Sequence, residues 1–473
     1  MTHEIDGGPG PIVMDMHFWV ATIVFVIALI IIISEKIHKT IVAIFAASLV
    51  IIFKILHQYE AFHIEELGVD WNVIFLLINM MIIINLIRPT GLFEYIAIRS
   101  AKIGKGEPVK IMMIFGLVTA VLSALLDNVT TVLLLAPVIL LICEALEIDP
   151  VPMLIVQAMA ANIGGTATLI GDPPNIMIAS KAGLSFIYFI NNLAPVVVVL
   201  MAVFLWAMKM VFGKKMETRE ELKQRIMDMD ENDAIKDPVL IKKSLTVLGL
   251  VLMGFTLHGV LHYQPATIAF FGAGLLLIIS GTTNPEKVLA SVEWPTIFFF
   301  IGLFIIVGGV VKVGLVGLMS GEMLDLTQGN LFATSMVLMW FSAFASAIVD
   351  NIPYVATMNP LVIDMAGKIW PHETGMALLQ HPDLMPVWWS LALGACLGGN
   401  GSPIGASANV IIVGTAEKAG RKISFLRFVA YGLPIMVSTV AVIKTYGIQV
   451  FSQTADEITE LGPINIRLGA IYS

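Results

Sequence analysis

Charge is scarce in this chain. Only 13% of its 473 residues are Asp, Glu, Lys or Arg, where a soluble domain carries about 25%. Cysteine is nearly absent as well. Cys143 and Cys396 are its only two, too few for a disulfide framework or a cysteine-based zinc cluster. Basic tracts interleaved with aromatics are missing, so nothing points to nucleic acid. The first 16 residues contain no Lys or Arg, so no cleavable signal is expected, and the apolar run after them is expected to stay in the membrane as the first helix. No histidine falls in the motif blocks described below, so an intramembrane enzyme would lack its nucleophile–base or metal set. No residue pattern implies a cofactor.

What fills the chain is apolar. Hydrophobic residues make up 58% and the mean hydropathy is +0.90. They come in blocks such as His17 to Ser34 and Phe186 to Phe212, near the ~20 residues that a helix needs to cross a bilayer. The expected fold is an all-α, multi-pass membrane protein of the cell (inner) membrane, with the bilayer as its first partner. Hydrophobic runs lie near 14–33, 40–56, 72–88, 111–126, 130–146, 151–180 and 186–212, then near 246–262, 266–281, 295–312, 333–349, 353–367, 386–415 and 426–448. The division is into a first membrane half (1–212), a soluble-looking linker (213–243) and a second membrane half (244–473).

The two halves repeat one another. Ser123-Ala-Leu-Leu-Asp127-Asn128 returns as Ser346-Ala-Ile-Val-Asp350-Asn351. The same offset of 223 carries Trp71 onto Trp294, Gly91 onto Gly314 and Pro137 onto Pro360. A second block, Gly164-Gly165-Thr-Ala-Thr-Leu-Ile-Gly171-Asp-Pro-Pro-Asn175, returns at an offset of 234 as Gly398-Gly399-Asn-Gly-Ser-Pro-Ile-Gly405-Ala-Ser-Ala-Asn409. Matched apolar segments interrupted by Gly and Pro in two halves point to the binding site of a secondary transporter.

Each half has two irregular features. The runs 111–126 and 130–146 meet at Asp127-Asn128, and 333–349 and 353–367 meet at Asp350-Asn351. With no room for an aqueous loop, each pair reads as a re-entrant hairpin. Spans 151–180 and 386–415 read as helices broken by their Gly/Thr/Ser/Pro tracts, because Pro173-Pro174 removes two donors and glycine weakens the helix. Placing Glu35 to Lys39 in the cytoplasm also puts Arg99–Lys110, Lys209–Lys243 and Glu417–Lys422 there and leaves the acidic Glu60–Asp70 loop outside, as the positive-inside rule requires. The repeats are then inverted relative to each other.

Asp127 and Asp350 are the informative charges. A carboxylate at bilayer depth is costly and normally binds, pairs or exchanges protons. At a hairpin tip the free carbonyls of one helix favour a cation, and the free N–H groups of the next favour an anion. Asn128, Asn351 and Thr130 stand beside the aspartates. Thr166, Thr168 and Asn175 in the first broken segment, and Asn400, Ser402, Ser407 and Asn409 in the second, add hydroxyl and amide ligands. Asp172 has Ala406 as its counterpart; it is either a one-sided cation or proton site or a helix cap. Sodium, if used, is expected to visit Asp127, Asn128, Asp350 and Asn351 transiently, without a tightly bound metal.

These blocks resemble the ion transporter superfamily. The chain is most similar to the branch that holds the melanosomal P protein and the arsenite permeases, and it shares its plan with sodium/proton antiporters and citrate or divalent-anion carriers. The resemblance implies a homodimer in which each protomer has a scaffold and a mobile transport region. Carboxylate carriers of this kind place Ser-Asn-Thr at the hairpin tips, where this chain has Asp127-Asn128-Val-Thr130 and Asp350-Asn351-Ile-Pro353. Two extra carboxylates disfavour a dianion. The expected function is efflux of arsenite or antimonite coupled to H+ or Na+, with sodium/proton antiport and then an organic-anion carrier as rivals. A cytoplasmic ATPase partner leaves no signature in these residues.

Overall fold

The computed structural model describes residues 14–213, 216–281 and 284–460. Its longer helices fall into two sets of nine. The first set is α1 (Met16–Ser34), α2 (Lys39–Ile52), α3 (Trp71–Ile87), α4 (Leu92–Ile103), α5 (Pro108–Leu125), α6 (Asn128–Ala145), α7 (Val151–Gly165), α8 (Pro173–Ala182) and α9 (Phe186–Phe212). The second is α10 (Pro238–Leu261), α11 (Pro265–Ser280), α12 (Trp294–Lys312), α13 (Leu315–Thr327), α14 (Leu331–Ile348), α15 (Asn351–Ile369), α16 (Met385–Gly398), α17 (Ser407–Lys418) and α18 (Phe425–Glu460). Each helix of the first set has its counterpart nine labels later.

Among the described residues nine helices are long and apolar enough to cross a membrane. The outer surface is apolar too: Trp19, Ile27 and Ile30 on α1 and Phe270, Phe271 and Ile278 on α11 all face outward. Apolar surface on this scale has no place in water and is the face of a multi-pass membrane protein.

The repeats interlock. α2 packs on α12 of the other set, and α11 returns the exchange by packing on α3. α6 lies against α17, and α15 lies against α8. The two sequence halves are thus interleaved rather than set side by side. Within each set the hairpin helix α5 (or α14) packs along α7 (or α16). Glycine permits the close approach: a Cβ on Gly164 would lie 2.3 Å from Ala120 Cα, and one on Gly398 would lie 2.5 Å from the Ala343 carbonyl oxygen. Only a residue without a side chain fits there.

The segment between the sets is folded against the first one. Its helix Glu220–Asp228 packs on α4 and α6. Glu231 accepts hydrogen bonds from Lys102 at 2.6 Å and Arg99 at 2.8 Å. Lys102 first, then a backbone N–H and Arg99, hold its carboxyl down to about 2. Gly91, at φ +84°, turns the chain into α4, and Ala234 O would lie 1.7 Å from any Cβ placed there.

Candidate functional site

Each hairpin turns at its aspartate. Asp127 caps α6 by accepting the Thr130 N–H at 2.7 Å, and Asp350 caps α15 by accepting the Ile352 N–H at 3.1 Å. Capping and ligand binding are compatible, because a cap engages one lone pair of a carboxylate that has several. The hairpin helices are 18 to 19 residues long, somewhat longer than the hydropathy pattern predicts.

The broken segments interrupt as the glycines and prolines predict. α7 stops at Gly165 and α8 starts at Pro173; α16 stops at Gly398, a short 3-10 turn covers Gly399–Gly401, and α17 starts at Ser407. Both interruptions are fastened to the neighbouring hairpin by the same bonds. Ser123 Oγ donates to Ala161 O at 2.7 Å and Ser346 Oγ donates to Ala395 O at 2.6 Å. Thr168 Oγ1 donates to Ala124 O at 2.5 Å, and its counterpart Ser402 Oγ donates to Ala347 O at 2.6 Å. Asn175 Nδ2 donates to Gly165 O and Thr168 O, and Asn409 Nδ2 donates to Gly399 O and Ser402 O.

The hydroxyl protons of Thr168 and Ser402, and the amide N–H groups of Asn175 and Asn409, brace the irregular backbone. Thr166 Oγ1 likewise donates back to Asn162 O at 2.8 Å. Irregular backbone inside a membrane protein needs this internal satisfaction.

The centre is built from amides that the hairpins and broken segments bring together. Asn162 Nδ2 donates to Asn400 Oδ1 and Asn409 Oδ1, both at 3.0 Å, and Asn128 Nδ2 donates to Asn162 Oδ1 at 3.2 Å. Asn128 Oδ1 and Asn400 Nδ2 are left without a protein partner in this buried cluster. On the other side of the pseudo-symmetry, Asn351 Nδ2 lies 3.3 and 3.2 Å from the two oxygens of Asp172. Cys396 Sγ donates to Asn175 Oδ1 at 3.3 Å. Asp172 makes no side-chain cap to α8, so its carboxylate belongs to the centre and not to the helix end.

Asn162 and Cys396 lie outside the sequence-derived set, as does Lys39. The first two share the offset of 234, and that pairing of a polar residue with a thiol inside apolar helices was a usable signal. Lys39, expected in a solvated loop, instead reaches the second tip. Its Nζ donates to Asp350 Oδ2 at 2.6 Å and to Ser407 Oγ at 2.8 Å, and Ser407 Oγ donates to Asp350 Oδ2 at 3.0 Å. Among the described residues Asp127 and Asp172 have no cationic partner. The two tips match in backbone and differ in charge.

A sequence model of the citrate transporter family matches residues 29–394. An uncharacterized transporter of Mycobacterium tuberculosis is 44% identical over 427 residues, covering 90% of this chain and 97% of that protein. The P protein of Homo sapiens is 31% identical over 511 residues, covering 92% of this chain and 60% of its own length. Among solved structures the chain is similar to the YdaH transporter of Alcanivorax borkumensis, with a TM-score of 0.47 and 13% identity over 94% of this chain and 98% of that one. The match across most of its length places the chain in the citrate transporter family of the ion transporter superfamily, and it is a multi-pass membrane transporter.

Proposed function

We propose that the chain is a secondary active transporter that exports a small inorganic solute, arsenite or antimonite first, in exchange for protons or sodium. Charge at the centre carries this reading. Asp127 and Asp172 lack cationic partners among the described residues, while Lys39 compensates Asp350. Such a centre favours a proton, a small cation or a neutral solute such as arsenous acid, and it disfavours a dianion. Asp127, with Asn128 and Thr130 beside it, is the coupling carboxylate. Asp172, Asn351 and Asn400 line the solute site, with the hydroxyl and amide side chains of the broken segments around them. The hairpins are re-entrant and the repeats inverted in this reading. The linker lies in the cytoplasm, and two copies form the working unit in the inner membrane.

Sodium/proton antiport is the second reading. Asn128 Oδ1 favours it, as an acceptor that is buried (the residue is 2% exposed) and unpartnered. The family's name favours an organic anion such as citrate, and the two uncompensated carboxylates oppose it.

Purified protein in liposomes with an internal pH dye separates the three. Arsenite movement that collapses a pH gradient, with no response to sodium alone, supports the first reading. Proton release driven by sodium alone moves the assignment to antiport, and citrate uptake overturns the charge argument. In each case Asp127→Asn is expected to remove the response to the pH gradient; unchanged pH dependence would rule out Asp127 as the coupling group.

A further inference from the structure

We infer that Lys39 is a tethered cation. Its ammonium takes, at the repeat-2 tip, the place that a mobile cation or proton takes at Asp127, and it ties that tip to the α2–α12 pair. The ammonium is held in three ways at once. It donates to Asp350 Oδ2 at 2.6 Å and to Ser407 Oγ at 2.8 Å, and it lies 5.0 Å from the centroid of the Phe299 ring. Carboxylate, hydroxyl and aromatic face are the groups that hold an ammonium. The Lys39 side chain is 28% exposed and that of Asp350 is 11% exposed, so the pair is well withdrawn from water.

The contact is one-sided in the repeat. At the offset of 223 the counterpart of Lys39 is His262, which precedes α11 and is in none of the ion pairs among the described residues, and α11 itself contains no Lys or Arg. At the first tip Asp127 is held by Thr130 and has no cationic partner among the described residues. Other charges face this region: Glu35 at the end of α1 acts on Lys39 and Asp350, Glu293 at the start of α12 acts on Lys39, and Asp172 acts on Asp350. All three are acidic, so the ammonium of Lys39 sits among carboxylates.

The contact also joins two groups of helices. Lys39 and Phe299 sit on α2 and α12, which pack on each other, whereas Asp350 and Ser407 sit on the hairpin tip and the second broken segment. Any displacement of the tip against α2–α12 must break the ion pair. One tip therefore takes its cation from solution and the other carries its own. The kinetic half of this inference rests on the transport reading; the binding half does not.

The test is chemical rescue. Lys39→Ala removes the amine and leaves a space bounded by Asp350, Ser407 and Phe299. Thermal unfolding of the purified full chain is followed in methylammonium chloride and, at equal ionic strength, in choline chloride, whose cation is too bulky to enter. The alanine variant is expected to lose stability and to regain most of the lost melting temperature with methylammonium. Wild type and Lys39→Ala/Asp350→Asn are expected not to respond. A folded Lys39→Ala that ignores methylammonium, or a wild type that responds equally, overturns the inference. Lys39→Ser leaves similar space and serves if the alanine variant does not fold. In liposomes the dependence of transport on the coupling cation should rise from first toward second order in Lys39→Ala and stay first order in Lys39→Arg. An unchanged order in Lys39→Ala counts against a cation role while leaving transport itself established.

Discussion

Asn162 and Cys396 occupy equivalent places 234 residues apart, and each reaches into the other repeat. Asn162 Nδ2 donates to Asn409 Oδ1 at 3.0 Å, and Cys396 Sγ donates to Asn175 Oδ1 at 3.3 Å. Asn175 and Asn409 are themselves counterparts, so the crossing is reciprocal. An amide makes the stronger donor and also accepts from Asn128; a thiol is a weak donor. The pseudo-symmetric centre is therefore more strongly bonded on the Asn162 side.

Asn162→Ala should accordingly cost more than Cys396→Ala. Removing Asn162 strips partners from Asn128, Asn400 and Asn409, and unpaired buried polar groups cost about 1–3 kcal/mol. Cys396→Ala should cost about 1 kcal/mol or less, because only a weak bond is lost. Denaturation of both purified variants checks the order; equal losses would show that the amide bonds contribute nothing special.

Close packing in the two repeats predicts matched sensitivity at Gly164 and Gly398. An added Cβ would press on Ala120 or Ala343 backbone at 2.3 and 2.5 Å, and backbone cannot swing aside. Overpacking of this kind costs about 1–3 kcal/mol. Gly164→Ala and Gly398→Ala should each lower the melting temperature, while Gly249→Ala, with open space around it, should not.

Gln157 offers a stabilising change. It is buried in α7, with neither amide atom bonded, and its counterpart at the same offset is Leu391, also buried. Gln157→Leu should raise stability by about 1–3 kcal/mol by removing the unsatisfied amide. A fall in melting temperature would mean that water or a ligand satisfies Gln157 in the membrane.

The linker clamp has a pH window. Lys102, with Arg99, depresses the Glu231 carboxyl from 4.5 to about 2. A depressed acid stabilises the folded form above its unfolded value and loses that contribution as pH falls through its folded value. The clamp should thus hold at neutral pH and weaken between 4.5 and about 2. Glu231→Gln should mimic the acid state at neutral pH, and faster tryptic cleavage at Arg219 and Arg225 would report it.

Much of the architecture is legible in the residues. Asp127 and Asp350, the two Gly-Gly turns and Pro173-Pro174 mark where helices must end, because proline lacks a donor and glycine weakens the helical state. The constant offsets reveal which positions are equivalent. The internal use of Thr168 and Ser402 was not legible, since a hydroxyl in a broken segment suits a ligand or a carbonyl equally well in sequence.

By itself the sequence determined a helical membrane protein of two matched sets, with carboxylates at the turns, because hydropathy and helix breaking are local properties. Only the tertiary structure decided that α2 packs on α12 and α11 on α3. It alone decided that Lys39 meets Asp350 across 311 residues and that Asn162 crosses to Asn409. An offset relates residues that do the same job in two places. Which of them touch is set by how the two sets interlock, and that depends on close packing between helices far apart in the chain.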